Sequence, residues 1–343
     1  MKSIFEWYTL LPANQWDYYY SINHEHNGIS NPFINDAGYD VFIKNYFMRG
    51  GKIDIFEYSQ IKIESLRLPN HISSVFFLGS CLYFYTSMHK KYSIKDNEPG
   101  YHAFPFIWFL IALFHDNAYQ MEDENAFKHI STLEDLYKEF EIEHFILDTP
   151  CSKCKPLGNA RKRYFEYRRE EYGIIDHGLL GGILLYDRLV KIRKAKRAAN
   201  ENTLFWGIKL VNQYKLAANA ITLHNIWLPS PDRLERYKKH QIDYLAKERP
   251  VKCRDFPLFY LLGIVDTIEP LKTYRTEIDR GTFTNEEVLR SINMAFEQNS
   301  VKVSLADQAT IDFKKMLEKA KGLRPWLDVD INTSESSFEL TFN

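Results

Sequence analysis

Long apolar segments are missing from this sequence of 343 residues, and so are the usual features of a secreted chain. The two longest apolar runs, 104–114 and 256–265, each cover about half of the length that a membrane-spanning helix needs. The first residues carry one lysine and an apolar run that Pro12 interrupts, which is not typical of a signal peptide. We therefore expect a cytoplasmic protein with no membrane partner.

The chain also has few cysteines and almost no net charge. The chain has 4 cysteines, whereas a secreted disulfide framework usually has more of them in a shorter chain. The formal net charge is -1, so no overall field attracts the protein to nucleic acid or to a membrane surface. Hydrophobic residues make up 45% and aromatic residues 15%, which is enough for a sizeable core and argues against disorder.

Helical periodicity dominates most of the chain. The predicted helices cover 39–47, 71–82, 103–119, 175–199, 204–228, 256–268, 284–297 and 305–321. Near the end of the chain, apolar and polar residues alternate over 327–331 and again over 338–342, which predicts a β-hairpin. The pattern therefore predicts a mainly α fold, in which a helical bundle carries a small C-terminal α+β appendage.

Potential metal ligands lie in or next to the predicted apolar helices. They are His71, the pair His115-Asp116, His177, His224 and Asp266. The pair follows the run PFIWFLIALF, and Asp266 follows FPLFYLLGIV. Burying a bare carboxylate is costly, so each aspartate needs a cation or several hydrogen bonds. Imidazole and carboxylate ligands without thiolates favour Mn, Fe, Ni, Zn or Mg, which predicts a divalent metal site.

The order His, His-Asp, His, His, Asp resembles the signature of HD-superfamily phosphohydrolases. It stands here in NHISSVFFLG, LIALFHDNAY, IIDHGLLGG, ITLHNIW and LLGIVDTIEP, and the resemblance spans about residues 66–270. The resemblance implies an HD-domain helical bundle with one or two divalent ions as cofactors. It implies that the first ion is held by His71, His115, Asp116 and Asp266. His177 and His224 would hold the second ion, with Asp116 bridging the two.

The resemblance further implies metal-dependent hydrolysis of a phosphoester or phosphoanhydride by a metal-activated water. The partner would be a phosphorylated small molecule or a nucleotide. Asp116, His177 and His224 would be catalytic. If only one ion binds, the two histidines would instead contact the substrate or act as general acid. The candidate substrate-binding residues are Asn117, Arg188, Lys209 and Lys215.

The pattern along the chain, together with the resemblance, suggests a division into three segments. Residues 1–60 would be an aromatic-rich segment packed on the core, 61–275 the metal-binding helical domain, and 276–343 the C-terminal helices with the hairpin. The polar stretch 117–170 is long for a connection and would be an insertion or lid. The alternative is a packed helical excursion with no role in turnover.

Two alternative functions stay open. Many superfamily members follow the His-Asp pair with a small residue, Gly and Lys, whereas this chain has Asn117-Ala118-Tyr119, so an inactive binding or regulatory module is one alternative. The basic stretch 188–197 could hold a nucleic-acid backbone, so a nuclease acting on single strands is another. A solvated helix end would explain the same stretch, because basic residues stabilise the last turns of a helix.

Several assignments of single residues also have alternatives. His89 or His102 could replace His71 as the first ligand, and Cys151 with Cys154 has the spacing of a structural zinc site. The exposed edge of the C-terminal hairpin could pair two copies into a homo-oligomer.

Three glycines, Gly178, Gly181 and Gly182, fall within the predicted helix 175–199. Each costs about 1 kcal/mol in a helix relative to alanine. Close helix packing near the metal ligands would offset this cost. The alternative is a helix that begins only after Gly182.

Overall fold

The computed structural model describes residues 1–18, 28–34, 38–48, 69–91, 103–122, 125–151, 155–199, 210–226 and 233–343. The chain forms two compact units. The first consists of 1–49, 68–93 and 250–343, and the second of 50–67 and 94–249. The domain boundaries predicted at residues 60 and 275 stay predictions.

Helices make up most of the described residues, which confirms the mainly α prediction. In chain order they are α1 (Ile4–Leu10), α2 (Ala13–Trp16), α3 (Tyr39–Met48), α4 (Pro69–Tyr85), α5 (Met88–Lys91), α6 (Phe104–Asn117), α7 (Leu133–Glu139), α8 (Lys155–Tyr172), α9 (His177–Ala198), α10 (Leu210–Leu223), α11 (Leu234–Lys239), α12 (Pro257–Ile268), α13 (Pro270–Thr273), α14 (Arg275–Asp279), α15 (Asn285–Arg290) and α16 (Lys314–Lys321). Short 3₁₀ turns cover Ala118–Met121, Asn125–Phe127, Ile146–Asp148 and Asp243–Lys247. None of the helices in the described ranges is both long and apolar enough to cross a membrane.

Helix α4 forms the centre of the first unit. It is almost entirely buried, including its histidine and serines, as expected of a helix surrounded by other elements. Aromatic side chains from the start of the chain pack on it: the rings of Trp16 and Phe42 lie 5.6 and 5.7 Å from that of Phe77. Helices α12 and α13, from the last third of the chain, pack on it as well.

The first unit also contains an antiparallel sheet. Its strands in the described residues are β1 (Lys2–Ser3), β2 (Ile292–Phe296), β3 (Ser300–Leu305), β4 (Val329–Thr333) and β5 (Ser337–Phe342). They are arranged in the order β1-β2-β3-β5-β4. The predicted hairpin is confirmed as β4 and β5, in which Ile331 pairs with Leu340. The hairpin is therefore one side of a larger sheet, to which the start of the chain contributes an edge strand.

The helices predicted over 284–297 and 305–321 are wrong for about half of their length. The first ends with α15 and is followed by β2. The second has the last residue of β3 at its start, forms turns and irregular backbone over 306–313, and is helical only in α16. The start of α15 follows local rules, because Thr284 and Glu287 form a capping box. Pairing of β2 with β1 and β3 then overrides the helical composition of the following residues.

The buried helices α6, α9 and α10 form the core of the second unit. Glycines allow their close approach. A Cβ atom on Gly181 would lie 2.4 Å from the carbonyl oxygen of Phe114, and one on Gly182 would lie 2.7 Å from that of Ala218. Real Cβ atoms do not approach so closely, so these positions require glycine. Since α9 begins at His177, the alternative of a later helix start is wrong.

Candidate metal centre

Four of the six predicted ligands lie at three helix ends of the second unit. His115 and Asp116 lie in the last turn of α6, His177 is the first residue of α9, and His224 follows the last residue of α10. The carboxyl ends of α6 and α10 carry partial negative charge, which favours a cation. The amino end of α9 has the opposite polarity, but the carboxylate of Asp176 caps it.

The short connection between α8 and α9 places further charged groups beside His177. Gly173, with a φ of +72°, ends α8 in the left-handed conformation that glycine tolerates. The carboxylate of Asp176 then caps α9 by accepting a hydrogen bond from the backbone nitrogen of Leu179 at 3.0 Å. Because this connection is short, Arg168 near the end of α8 lies beside Asp176, with Nε 3.5 Å from Oδ2.

Asp116, His177 and His224 form a group that could hold a metal ion. Each residue offers one ligand atom, and the three atoms lie within 4.8 Å of one another. All three side chains are buried. Nε2 of His177 is 3.4 Å from Oδ1 of Asp116, and the rings of His177 and His224 are 5.4 Å apart. Ligand atoms of one tetrahedral ion stand about 3.4 Å apart, so small adjustments would complete the site.

His115 adjoins this group and shares one feature with His224. Nε2 of His115 is 3.8 Å from Oδ1 of Asp116, and its ring lies 5.6 Å from that of His224. Nδ1 of His115 is 2.8 Å from the carbonyl oxygen of Ala112, and Nδ1 of His224 is 2.7 Å from that of Ile221. A carbonyl oxygen only accepts, so Nδ1 donates in both rings. When each ring is neutral, Nε2 therefore carries the lone pair, as in histidines that bind metal through Nε2.

In His177, the hydrogen-bond acceptor beside Nδ1 is a carboxylate instead of a backbone carbonyl oxygen. Its Nδ1 lies 3.3 Å from Oε2 of Glu122. Burial alone would lower the pKa of His177, but hydrogen bonds to Asp116 and Glu122, together with the charge of Asp176, raise it to about 9. The amide nitrogen of Asn225 lies 2.9 Å from Nε2 of His177 and can donate a hydrogen bond to the lone pair of a neutral ring. A metal ion at Nε2 would replace both the proton and this amide.

Arg168 links the carboxylates that flank His177. Its Nη2 lies 2.8 Å from Oε1 of Glu122, in addition to the contact between Nε and Asp176. Burial lowers the pKa of Arg168, but the charges of Asp176 and Glu122 raise it above its usual value. Sequence reasoning missed these three residues. The only local signal was Asp176, a good helix cap directly before His177.

The first unit brings together the other two predicted ligands. His71 Nε2 lies 3.4 Å from Oδ1 of Asp266, and His71 Nδ1 lies 2.7 Å from Oε2 of the fully buried Glu269. Lys272 Nζ is 2.9 Å from the same oxygen of Asp266. The prediction that His71 and Asp266 share an ion with His115 and Asp116 combines residues of both units and stays a prediction from the sequence.

His71 and Glu269 should make the stability of chelator-treated protein depend on pH. Burial lowers the pKa of His71, but the charge of Glu269 and hydrogen bonds to Asp266 and Glu269 raise it to about 9. Burial raises the pKa of Glu269, but the charge of His71 lowers it below its usual value. The stabilisation from His71 is full below its unfolded-state pKa of about 6.5 and is lost as the pH rises through about 9. The contribution of Glu269 is lost only as the pH falls below about 4.3.

Urea unfolding measures this dependence. We expect the unfolding free energy of the wild-type protein to fall between about pH 6 and about pH 9.5, and Glu269→Gln to be less stable with a flatter profile. Glu248→Gln, at an exposed glutamate outside this cluster, is the control and should keep the wild-type profile. A fall of the same size in Glu269→Gln would contradict this assignment.

The candidate substrate-binding residues lie in different surroundings. Asn117 is buried, and among the described residues neither polar atom of its amide has a hydrogen-bond partner. Lys215 is half-buried on α10, about 13 Å along the helix axis from His224. Arg188 is buried on α9 and bonds Asp187 and the carbonyl oxygen of Phe140 at 2.7 Å each. These contacts indicate a structural role for Arg188. Lys209 lies outside the described residues.

Basic residues that follow Arg188 on α9 also take part in internal contacts. Lys191 Nζ lies 3.2 Å from Asp187 and 3.1 Å from Glu143, and Lys194 Nζ lies 2.6 Å from Nε2 of His144. These contacts favour the solvated helix end over a nucleic-acid groove.

The sequence offered two further sets of metal ligands, namely His89 or His102 in place of His71, and Cys151 with Cys154. His89 is exposed on α5 and bonds the carbonyl oxygen of Thr86, whereas His71 is buried beside Asp266. Cys151 is buried. Cys154 and His102 lie outside the described residues, so their predicted roles stay predictions.

Comparisons with known proteins give no relative. The chain matches no protein-family model, and neither the curated proteins nor the solved structures contain a significant match.

Proposed function

We propose that this protein is a divalent-metal-dependent phosphohydrolase of the kind found in the HD superfamily. One observation carries the proposal: Asp116, His177 and His224 converge from three buried helix ends, and each imidazole has a hydrogen-bond acceptor at Nδ1. Metal binding would displace the proton of His177, and the charge of the cation would then balance the carboxylate of Asp116 beside two neutral imidazoles. The arrangement of ligands and outer hydrogen-bond acceptors supports metal binding better than a structural role.

A bound divalent ion would supply a Lewis acid and a water of lowered pKa, and two ions would also stabilise the leaving oxygen. The protein's own residues have separate tasks. Asp116 supplies negative charge to the cation, while His177 and His224 present Nε2 to it. We assign Asn117 to the substrate, because the NH₂ group of its buried amide could donate hydrogen bonds to phosphate oxygens. Such bonds would offset the cost of about 1–3 kcal/mol for a buried polar group without a partner.

The substrate in this proposal is a phosphoester or phosphoanhydride of a nucleotide-like small molecule. The contacts of Lys191 and Lys194 with acidic groups and with His144 count against a basic groove on α9. The protein should therefore bind nucleic acid weakly, with a shallow dependence on salt.

Elemental analysis followed by a hydrolysis screen tests the proposal. We expect purified protein to hold one or two ions of Mn, Fe, Ni or Zn per chain. With Mn²⁺ added, it should hydrolyse members of a panel of nucleoside phosphates, cyclic nucleotides and p-nitrophenyl phosphoesters, and a chelator should abolish the activity. Absence of metal even after reconstitution with Mn²⁺ would overturn the proposal. Bound metal without hydrolysis of any panel member would instead favour a binding or regulatory module.

A further inference from the structure

We infer that Glu122 and Arg168 form a positioning pair that fixes the tautomer of His177 for metal binding; this inference rests on the proposed function. Neither residue belongs to the predicted set of ligands. Glu122 follows the 3₁₀ turn after α6, and Arg168 lies near the end of α8. Both contact the site through one continuous chain of hydrogen bonds and ion pairs, from Arg168 to Glu122 and from Glu122 to His177.

The position of His177 in its helix explains why an acceptor from elsewhere is needed. His115 and His224 each bond the carbonyl oxygen three residues earlier, which their own helices provide. His177 is the first residue of α9, so no preceding turn of that helix offers it a carbonyl oxygen. Glu122 takes over this function from a different segment, with Oε2 at 3.3 Å from Nδ1.

Arg168 determines which atom of residue 122 faces His177. Its Nη2 holds Oε1 of Glu122 at 2.8 Å, so the second carboxylate oxygen remains for Nδ1. An arginine can only donate hydrogen bonds, so the atom that faces it must be an acceptor. Its planar guanidinium also reaches Asp176, the cap of α9, with Nε at 3.5 Å. A lysine has no such planar group of several donors, so Arg168→Lys would not reproduce both contacts.

This geometry predicts an unusual effect of Glu122→Gln. The glutamine has one acceptor oxygen, and Arg168 would hold it, so the amide NH₂ would face Nδ1 of His177. An NH₂ group donates, so Nδ1 would have to carry the lone pair and Nε2 the proton. The nitrogen that should bind the metal would then be blocked, although the size and shape of the side chain have hardly changed.

Titration of metal-free protein with Co²⁺ tests the pair, with affinity and the visible absorption spectrum of the bound ion as readouts. We expect Glu122→Gln to weaken Co²⁺ binding by about 10–100-fold, the usual effect of losing an outer partner of a metal-bound histidine. Adding Arg168→Met to Glu122→Gln should restore part of the affinity, because the glutamine can then turn its oxygen towards Nδ1. A purely structural pair would give the opposite result, since the second substitution would add to the damage.

Asp187→Asn is the matched control. It is also a carboxylate-to-amide change at a buried, arginine-paired residue of the second unit, about 15 Å along α9 from His177. It should lower the unfolding midpoint and leave Co²⁺ affinity as in the wild type. Wild-type affinity in Glu122→Gln, an equal loss in Asp187→Asn, or a double variant that binds no better than Glu122→Gln would each overturn the inference alone. A wild-type protein that binds no Co²⁺ would overturn the proposed function and the inference with it.

Discussion

Replacing Asp116 with asparagine is expected to weaken divalent-metal binding by more than about 100-fold and to abolish phosphoester hydrolysis. Loss of an outer partner of a metal ligand already costs up to about 100-fold in affinity, and loss of the charged ligand itself should cost more. The asparagine keeps the shape of the side chain but removes the only carboxylate in the group with His177 and His224. Elemental analysis, Co²⁺ titration and hydrolysis with added Mn²⁺ measure the effect.

A surface aspartate provides the control for this experiment. Asp148 is half-exposed and forms an ion pair with the equally exposed Lys162. Exposed pairs contribute little to stability, so Asp148→Asn should retain metal, activity and fold. Equal metal contents in Asp116→Asn and Asp148→Asn would contradict the assignment of Asp116 as a ligand.

Gly181→Ala is expected to destabilise the second unit and to weaken metal binding with it. Helix propensity alone predicts the opposite, because alanine in place of a helical glycine should stabilise by about 1 kcal/mol. The new Cβ would lie 2.4 Å from the backbone oxygen of Phe114, which no side-chain rotation can relieve. Overpacking of this kind costs about 1–3 kcal/mol or more, so the packing term should win. The shift would also move α9, and therefore His177, away from the end of α6.

Urea unfolding of Gly181→Ala and of a matched helix variant separates the two effects. Ala195→Gly changes an exposed position of the same helix and should cost only about 1 kcal/mol, through propensity. We expect Ala195→Gly to keep wild-type Co²⁺ affinity, whereas Gly181→Ala loses affinity. A Gly181→Ala protein as stable as the wild type would contradict the close packing of α9 on α6.

The ligands of the candidate site could be found from the sequence because each stands out locally. A histidine or aspartate at the end of an apolar run is conspicuous, as at Asp116 and Asp266. Their hydrogen-bond partners are not conspicuous. Glu122 lies in a polar stretch, 55 residues from its partner His177, so no local pattern connects them. Glu269 was detectable in principle, because it stands three residues after Asp266 and directly before a proline that starts α13.

The sheet shows which parts of the fold can be predicted from the sequence and which cannot. The hairpin of β4 and β5 joins neighbouring segments, and its alternating pattern predicted it correctly. Strand β2 pairs with β1 almost 300 residues away, Met294 lying opposite Lys2, and this pairing has no local signal. Helix α1 was also missed, although its start has a local signal in the sequence. Ser3 and Glu6 form a capping box that sequence analysis could have used.

The discontinuous composition of the first unit has a consequence for biosynthesis. Helix α4 emerges from the ribosome early, but its partners α12 and α13 are made only after the whole second unit. At about 5–20 residues per second, the roughly 170 residues between α4 and α12 take on the order of 9–34 s to translate. During this interval, the continuous stretch 94–249 can fold its own core, whereas the apolar surface of α4 cannot yet pack against α12 and α13. For this time the nascent chain contains an apolar segment without its final partners, which is the kind of surface that makes folding intermediates prone to aggregation.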